Sequence, residues 1–158
     1  MLSLIRRLFS GRRGRRARDA ASTTTVEVDP ARVRALALGY APRADGAPDA
    51  GEIVWAWVPF AERDGRGKDR PVLVIARRDA EHVYAVKLTS RSHEGDRDFV
   101  PVGTGGWDPE RRPSWADVDQ LYVVHDRAVR REGAALDRAV YARVAAVLGA
   151  RYGWRVPR

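Results

Sequence analysis

Arginine, lysine and threonine residues stand at the ends of two apolar segments in the middle of the chain. Arg70 precedes the apolar run 71–75, and Lys87, Thr89 and Arg91 alternate with other residues at the end of a second run. Alternate residues of an extended strand lie on one face, so these three side chains are predicted to form a polar row. An arginine stays protonated and can clamp a phosphate through two hydrogen bonds, which suits it to stabilise developing negative charge. The pattern indicates a surface that contacts a phosphodiester backbone.

Proton transfer needs a group that titrates near neutral pH, and His93 is the candidate in the polar segment 91–97 that follows this row. An unperturbed histidine has a pKa of about 6.5, which suits general acid–base work. We predict that role for His93. The alternative is an exposed loop histidine without a catalytic role.

Trp107 lies in a segment rich in Gly and Pro. Its indole is predicted either to stack on unpaired bases or to pack in the core or a dimer contact.

Residues 51–125 are predicted to form five β-strands. Both alternating sets are apolar in Glu52–Phe60 and in Pro71–Ile75, which indicates strands that are covered on both faces. The segment His82–Thr89 has one apolar and one more polar face, and shorter strands are predicted at Phe99–Val102 and Asp117–His125. Short strands without a βαβ unit predict a mainly β, antiparallel barrel. No phosphate-binding loop is present in the sequence, so nucleotide-dependent chemistry is not favoured.

Two helices are predicted outside these strands. Asp137 is the expected N-cap of a C-terminal amphipathic helix that ends at Gly149. A shorter helix is predicted to begin at Asp29 and Pro30 and to end at Gly39. The predicted organisation is a basic arm (1–24), a short helix and linker (25–50), a barrel domain (51–150) and a tail (151–158).

The positive charge of the chain is concentrated at its N-terminus. The 158 residues carry a formal net charge of +8. Residues 1–20 contain seven arginines and one aspartate and thus account for +6, which leaves +2 for the rest. This arm is predicted to contact RNA phosphates, to anchor weakly to a membrane surface through its apolar residues, or to be a solvated, disordered terminus. The order of its apolar and basic residues is the reverse of a signal peptide, and no segment has the roughly 20 apolar residues of a membrane span. No stable membrane insertion is predicted.

Cysteine and histidine usage narrows the chemistry further. The chain has no cysteine, which removes disulfides and thiolate metal sites and agrees with a reducing cytoplasm. Its three histidines, His82, His93 and His125, are not at metal-ligand spacing. We therefore predict no metal and no cofactor.

Several segments of the chain, in this order, resemble the MazF/PemK family of toxin endoribonucleases. They are Gly51–Phe60 with the charged loop that follows, Arg70–Ile75, Lys87–Arg91, Ala116–Gln120, Gly133 and the C-terminal amphipathic helix. The resemblance covers residues 51–148. It implies a small SH3-like antiparallel β-barrel with a C-terminal helix.

The resemblance also implies a function. It indicates a metal-independent, sequence-selective endoribonuclease that cuts single-stranded RNA by attack of the 2′-hydroxyl, and it carries catalytic roles to Arg70 and Thr89. It further implies a cytoplasmic homodimer, with RNA in a groove along the dimer interface and a cognate antitoxin in the same groove. The doubly apolar strands agree with a dimer. The predicted RNA contacts are Lys68, Lys87, Ser90, Arg91, Arg97 and Trp107.

Other functions and other residue roles remain open at this point. A barrel that has lost catalysis would serve as an RNA-binding or regulatory module, and a related barrel toxin binds a topoisomerase and cuts nothing. At the residue level, Arg70 could instead pair with Asp64 or Asp69, and Thr89 could be an ordinary β-branched strand residue.

Overall fold

The computed structural model describes residues 23–62 and 64–158, apart from the side chains of residues 131–133. Its strands are β1 (Val26–Val28), β2 (Glu52–Pro59), β3 (Gly67–Arg77), β4 (His82–Thr89), β5 (Phe99–Gly103), β6 (Ser114–Asp117), β7 (Leu121–His125) and β8 (Val129–Ala135). The α-helix found in this part of the chain is α1 (Arg138–Tyr152). The prediction of a mainly β, antiparallel fold with a C-terminal helix is confirmed.

The strands form one antiparallel sheet in the order β1-β7-β4-β3-β2-β8, with β6 paired to β4 and β5 paired to β6. Within the described residues, β1 pairs with β7 alone and β8 with β2 alone. These two strands are therefore the ends of an open sheet. The closure into an SH3-like barrel that the sequence led us to expect is not made by these hydrogen bonds.

Both faces of the sheet are buried within one chain. On the outer face, α1 covers an apolar cluster in which Tyr141 and Leu148 pack with strand residues such as Ile53 and Leu73. The opposite face, which we call the inner face, buries Val54, Ala56, Val58, Val72, Val74, Val83, Ala85, Tyr122 and Val124. The prediction of strands covered on both faces is confirmed. Because the chain itself supplies the cover, the apolar pattern no longer argues for a dimer.

Helix α1 begins where predicted and ends later. Asp137 is its N-cap and accepts two backbone N–H groups through its side chain. The helix passes through Gly149 and ends at Tyr152, where Gly153 adopts a left-handed φ of 73°. The predicted end at Gly149 is wrong because the left-handed glycine that stops the helix is Gly153, and Gly149 instead allows the tail to fold back over the helix. Val156 packs on Gly149 and leaves no room for a side chain at that position.

The predicted helix between Asp29 and Gly39 is reduced to one 3₁₀ turn, Pro30–Arg32. Asp29 caps this turn by accepting the N–H of Ala31 at 2.9 Å. The chain then becomes extended at Val33, which ends the turn. The capping signal was thus identified correctly, but the helical periodicity beyond it was misleading.

The chain does not continue as a helix after this turn because it pairs with the C-terminal tail. The N–H of Leu38 donates to the carbonyl of Arg155, and the N–H of Arg155 donates to the carbonyl of Leu36, both at 2.9 Å. The buried indole of Trp154 donates to the carbonyl of Val33 at 2.7 Å. Tertiary contacts have overridden a local preference here.

Strands β1, β6 and β8 were not predicted. The segment predicted as one strand, Asp117–His125, divides between the end of β6 and β7. Of the predicted basic arm, all but residues 23 and 24 lie outside the described residues, and the predicted domain limits stay predictions. In the described part of the chain, no helix is long and apolar enough to cross a membrane.

Candidate functional site

A groove of ≈ 350 Å³ lies at the end of the sheet where the central strand β3 begins and its neighbour β4 ends. It receives residues from β2, β3, β4 and the start of β6, and from the loops before and after β5. The lining residues are Trp55, Lys68, Asp69, Arg70, Pro71, Leu88, Thr89, Ser90, Arg91, Asp108, Arg112 and Ser114.

The pairing of β3 with β4 brings Arg70 and Thr89 into this groove. Val72 lies opposite Lys87 at the last paired position of the two strands, and Arg70 and Thr89 each stand two residues farther along, where both line the groove. Both side chains are half-buried. The Thr89 hydroxyl oxygen accepts the N–H of Arg91 at 3.2 Å, which leaves its own hydrogen available for donation.

The groove has an excess of positive charge. Its four cations are Lys68, Arg70, Arg91 and Arg112. Each of its two acids is already paired, Asp69 with Arg130 of β8 at 3.4 Å and Asp108 with Arg112 at 2.9 Å.

Arg70 makes no ion pair among the described residues. Of the two partners considered for it from the sequence, Asp69 pairs with Arg130 and Asp64 pairs with Arg66 at 2.7 Å. The guanidinium of Arg70 is thus not consumed by either acid.

Asp108 fixes one wall of the groove. Its carboxylate accepts the N–H of Glu110 and the Nε of Arg112, both at 2.9 Å. Burial favours the neutral acid, but the Arg112 guanidinium and the Glu110 N–H outweigh it and hold the pKa of Asp108 below its usual range. Asp108 therefore stays ionised and keeps Arg112 at the groove.

The inner face ends in a polar cluster directly beside Arg70. Lys87 lies 3.6 Å from Asp117, measured from Nζ to Oδ2. The hydroxyl of Tyr122 donates to the side-chain oxygen of Gln120 at 3.2 Å. Burial raises the pKa of Tyr122, and the nearby carboxylates raise it further, whereas the charge of Arg70 acts in the opposite direction.

Four of the residues predicted from sequence do not line the groove, and one of them, Lys87, lies next to it in the polar cluster beside Arg70. His93 stacks on Phe99, with ring centroids 3.5 Å apart, and its Nδ1 lies 3.6 Å from Asp96. Arg97 is exposed in the same loop. Trp107 is only 4% exposed and donates its indole N–H to Ser114, so its ring packs in the core and is not presented to bases.

Residues 49–150 match the family described as PemK-like, MazF-like toxin of type II toxin-antitoxin system. The chain belongs to this family. No curated protein sequence matches the chain.

Two solved structures from Deinococcus radiodurans are similar to this PemK/MazF-family chain. The MazF structure (Form-I) is 25% identical with a TM-score of 0.54, and the match covers 68% of this chain and 97% of that one. The MazE–MazF structure (Form-II) is 24% identical with a TM-score of 0.53, and the match covers 68% and 96% of the two chains. The expected family and its fold are thereby shown.

Four polar residues of this MazF-like toxin were not identified from the sequence. Asp108 and Arg112 have the spacing of a local ion pair, which is a readable but weak signal. Asp117 and Tyr122 join the cluster beside Arg70 only through the pairing of β4 with β6 and β7. No local pattern in the sequence specifies that pairing.

Proposed function

We propose that this MazF-like toxin is a metal-independent, sequence-selective endoribonuclease that cuts single-stranded RNA. RNA carries its own nucleophile, the 2′-hydroxyl, so cleavage requires proton transfer and stabilisation of negative charge at phosphorus. The observation that supports this function best is the position of Arg70, which has no ion-pair partner among the described residues and lines a cationic groove together with Thr89.

Each of the two residues has a distinct role in the proposal. Arg70 clamps the scissile phosphate and stabilises the negative charge that develops during attack. Thr89 donates its hydroxyl hydrogen to a non-bridging oxygen. His93 stays a proposed acid–base group, with the least structural support of the three because it stacks on Phe99 outside the groove.

The proposed RNA contacts divide by position. Lys68, Ser90 and Arg91 line the groove and would bind the backbone next to the scissile phosphate. Lys87 lies beside Arg70 in an adjoining depression, and the exposed Arg97 would bind RNA farther along the strand. The buried Trp107 is not included.

The proposal extends to assembly. The Deinococcus radiodurans MazE–MazF structure supports a cognate antitoxin as partner. We place the antitoxin in the same groove as RNA, with the chain as a cytoplasmic homodimer. The positive charge of the groove favours an acidic antitoxin segment there.

A second candidate function is an RNA-binding module without catalysis. No histidine is among the residues that line the described groove. The groove therefore provides cations that can bind phosphate, but no histidine for proton transfer.

Cleavage of a mixed RNA pool, with and without EDTA, tests the proposed function. We expect cuts in both conditions, with a 2′,3′-cyclic phosphate (or its opened 3′-phosphate) on one product and a 5′-hydroxyl on the other. A 2′-O-methyl group at the scissile nucleotide should block cutting because the internal nucleophile is gone. An absolute need for a divalent ion would contradict the mechanism. RNA binding without cutting would support the binding module, and neither would favour a toxin that acts on a protein such as a topoisomerase.

A further inference from the structure

The inner face changes from apolar to charged at the end that adjoins the groove. Residues 72, 74, 83 and 85 are buried valines and an alanine on this face, and in the next positions along β3 and β4 stand Arg70 and Lys87. Lys87 lies opposite Val72, and Arg70 is two residues from Val72 on the same strand. The two cations are thus diagonal neighbours on one face of the sheet. Residues in such diagonal positions on paired strands are typically about 7–8 Å apart. Both also line one depression next to the groove.

Asp117 approaches Lys87 from the other side. In the register of β4 with β6, Leu88 pairs with Ala116, and one further step sets Lys87 opposite Asp117. The Lys87 ammonium lies 3.6 Å from the Asp117 carboxylate, whose side chain is only 7% exposed. The Asp117 carboxylate also accepts the N–H of Asp119 at 3.0 Å, so its position is fixed from two directions.

A carboxylate at this position is not explained by stability. Burial raises the pKa of Asp117, although the Asp119 N–H and the Lys87 charge lower it. The net direction means that the surroundings disfavour the ionised form. An apolar side chain would continue the inner face at lower cost, since a buried ion pair is often no more stable than well-packed apolar residues.

We propose that Asp117 is a positioning residue that holds the Lys87 ammonium beside Arg70, so that Lys87 contacts the RNA phosphate as a second cation. This inference rests on the proposed nuclease function and names a further residue of the same site. A lysine side chain has considerable rotamer freedom, and ordering it costs free energy when substrate binds. The buried carboxylate of Asp117 provides that order in advance. Lys87 then meets the developing charge without reorganisation.

A double-mutant cycle tests this coupling. Lys87→Met, Asp117→Asn and the double variant are compared with the wild type by single-turnover cleavage and by equilibrium binding to an uncleavable 2′-O-methyl RNA. We expect Lys87→Met to slow cleavage about 10²–10³-fold, as expected when one preorganised donor is lost. Asp117→Asn should slow cleavage by roughly tenfold in the wild-type background and have no further effect once Lys87 is methionine. Binding should change less than the cleavage rate in each case.

Asp126→Asn is the matched control. Asp126 pairs with Arg77 at 2.9 Å, at the end of β3 farthest from Arg70, and the change should leave cleavage unaltered. Circular dichroism confirms that each variant folds, and Lys87→Gln replaces Lys87→Met if the latter does not.

Two results would overturn the proposal. Additive effects of the two substitutions would show that Asp117 acts through the fold and not through Lys87, and so would an unchanged cleavage rate in Asp117→Asn. If the wild type cuts no RNA, the nuclease function fails separately, and the same cycle measured on binding alone decides the coupling. Coupled losses in affinity would retain the positioning role, and independent losses would remove it.

Discussion

Arg70 is expected to act on the transition state more than on bound RNA. Arg70→Ala should slow the chemical step about 10²–10³-fold, because it removes a preorganised donor to developing charge. Thr89→Val, which keeps the shape and favours strands, should show a smaller loss of the same kind. The measurement is single-turnover cleavage beside binding to a 2′-O-methyl RNA. Equal losses in rate and affinity would make Arg70 a simple positioning clamp.

The variant His93→Ala tests the acid–base role proposed for His93. A true acid–base role predicts that His93→Ala removes one limb of the pH–rate profile and costs roughly 10²–10⁴ in rate. Its position on Phe99, outside the groove, predicts instead a profile of unchanged shape. The pH profile therefore shows whether His93 has the acid–base role predicted from the sequence or takes no part in proton transfer, as its position outside the groove predicts.

At the scale of elements, the tail after α1 is an integral part of the fold. Trp154 is 3% exposed and packs at a tilt against Tyr152, with ring centroids 4.7 Å apart. Trp154→Ala should lower the free energy of unfolding by about 3–5 kcal/mol, as for other buried aromatic residues. Trp154→Phe keeps an aromatic ring but loses the indole N–H that donates to the Val33 carbonyl. It should lower the free energy of unfolding by about 1–3 kcal/mol. Urea unfolding measures both values, and a negligible effect of Trp154→Ala would contradict the structural role of the tail.

The elements also show what the sequence could and could not specify. Continuous apolar runs located β2 and β3, an alternating pattern located β4, and the polar ends of β3 and β4 pointed to Arg70 and Thr89, because these patterns are local. The role of Asp117 depends on the pairing of β6 with β4. The helix predicted after Pro30 does not form because this segment pairs with residues 154–155. Both are long-range contacts. His93 was predicted at the site because it follows Thr89 and Arg91 closely in sequence, whereas stacking on Phe99 holds it outside the groove.

At the scale of the whole molecule, the N-terminal arm carries most of the net charge. Deleting residues 1–20 removes +6 of the +8 and should leave the fold and any cleavage sequence unchanged. If the arm binds RNA, the dependence of log affinity on log salt should become shallower, by about 0.7 for each lost phosphate contact to a single strand. Circular dichroism and salt titrations of binding are the measurements. An unchanged slope would show that the arm does not contact RNA, and loss of folding would contradict the predicted domain boundary.

The hydrogen bond from the Trp154 indole to the Val33 carbonyl joins residues that are 121 positions apart. During synthesis, Val33 leaves the ribosome long before Trp154 has been translated. The segment around Leu36 and Leu38 must therefore wait, without its final partners, until residues 154 and 155 emerge. A polypeptide that ends before residue 154 lacks this closing contact, so this part of the fold can be completed only after residue 154 has been translated.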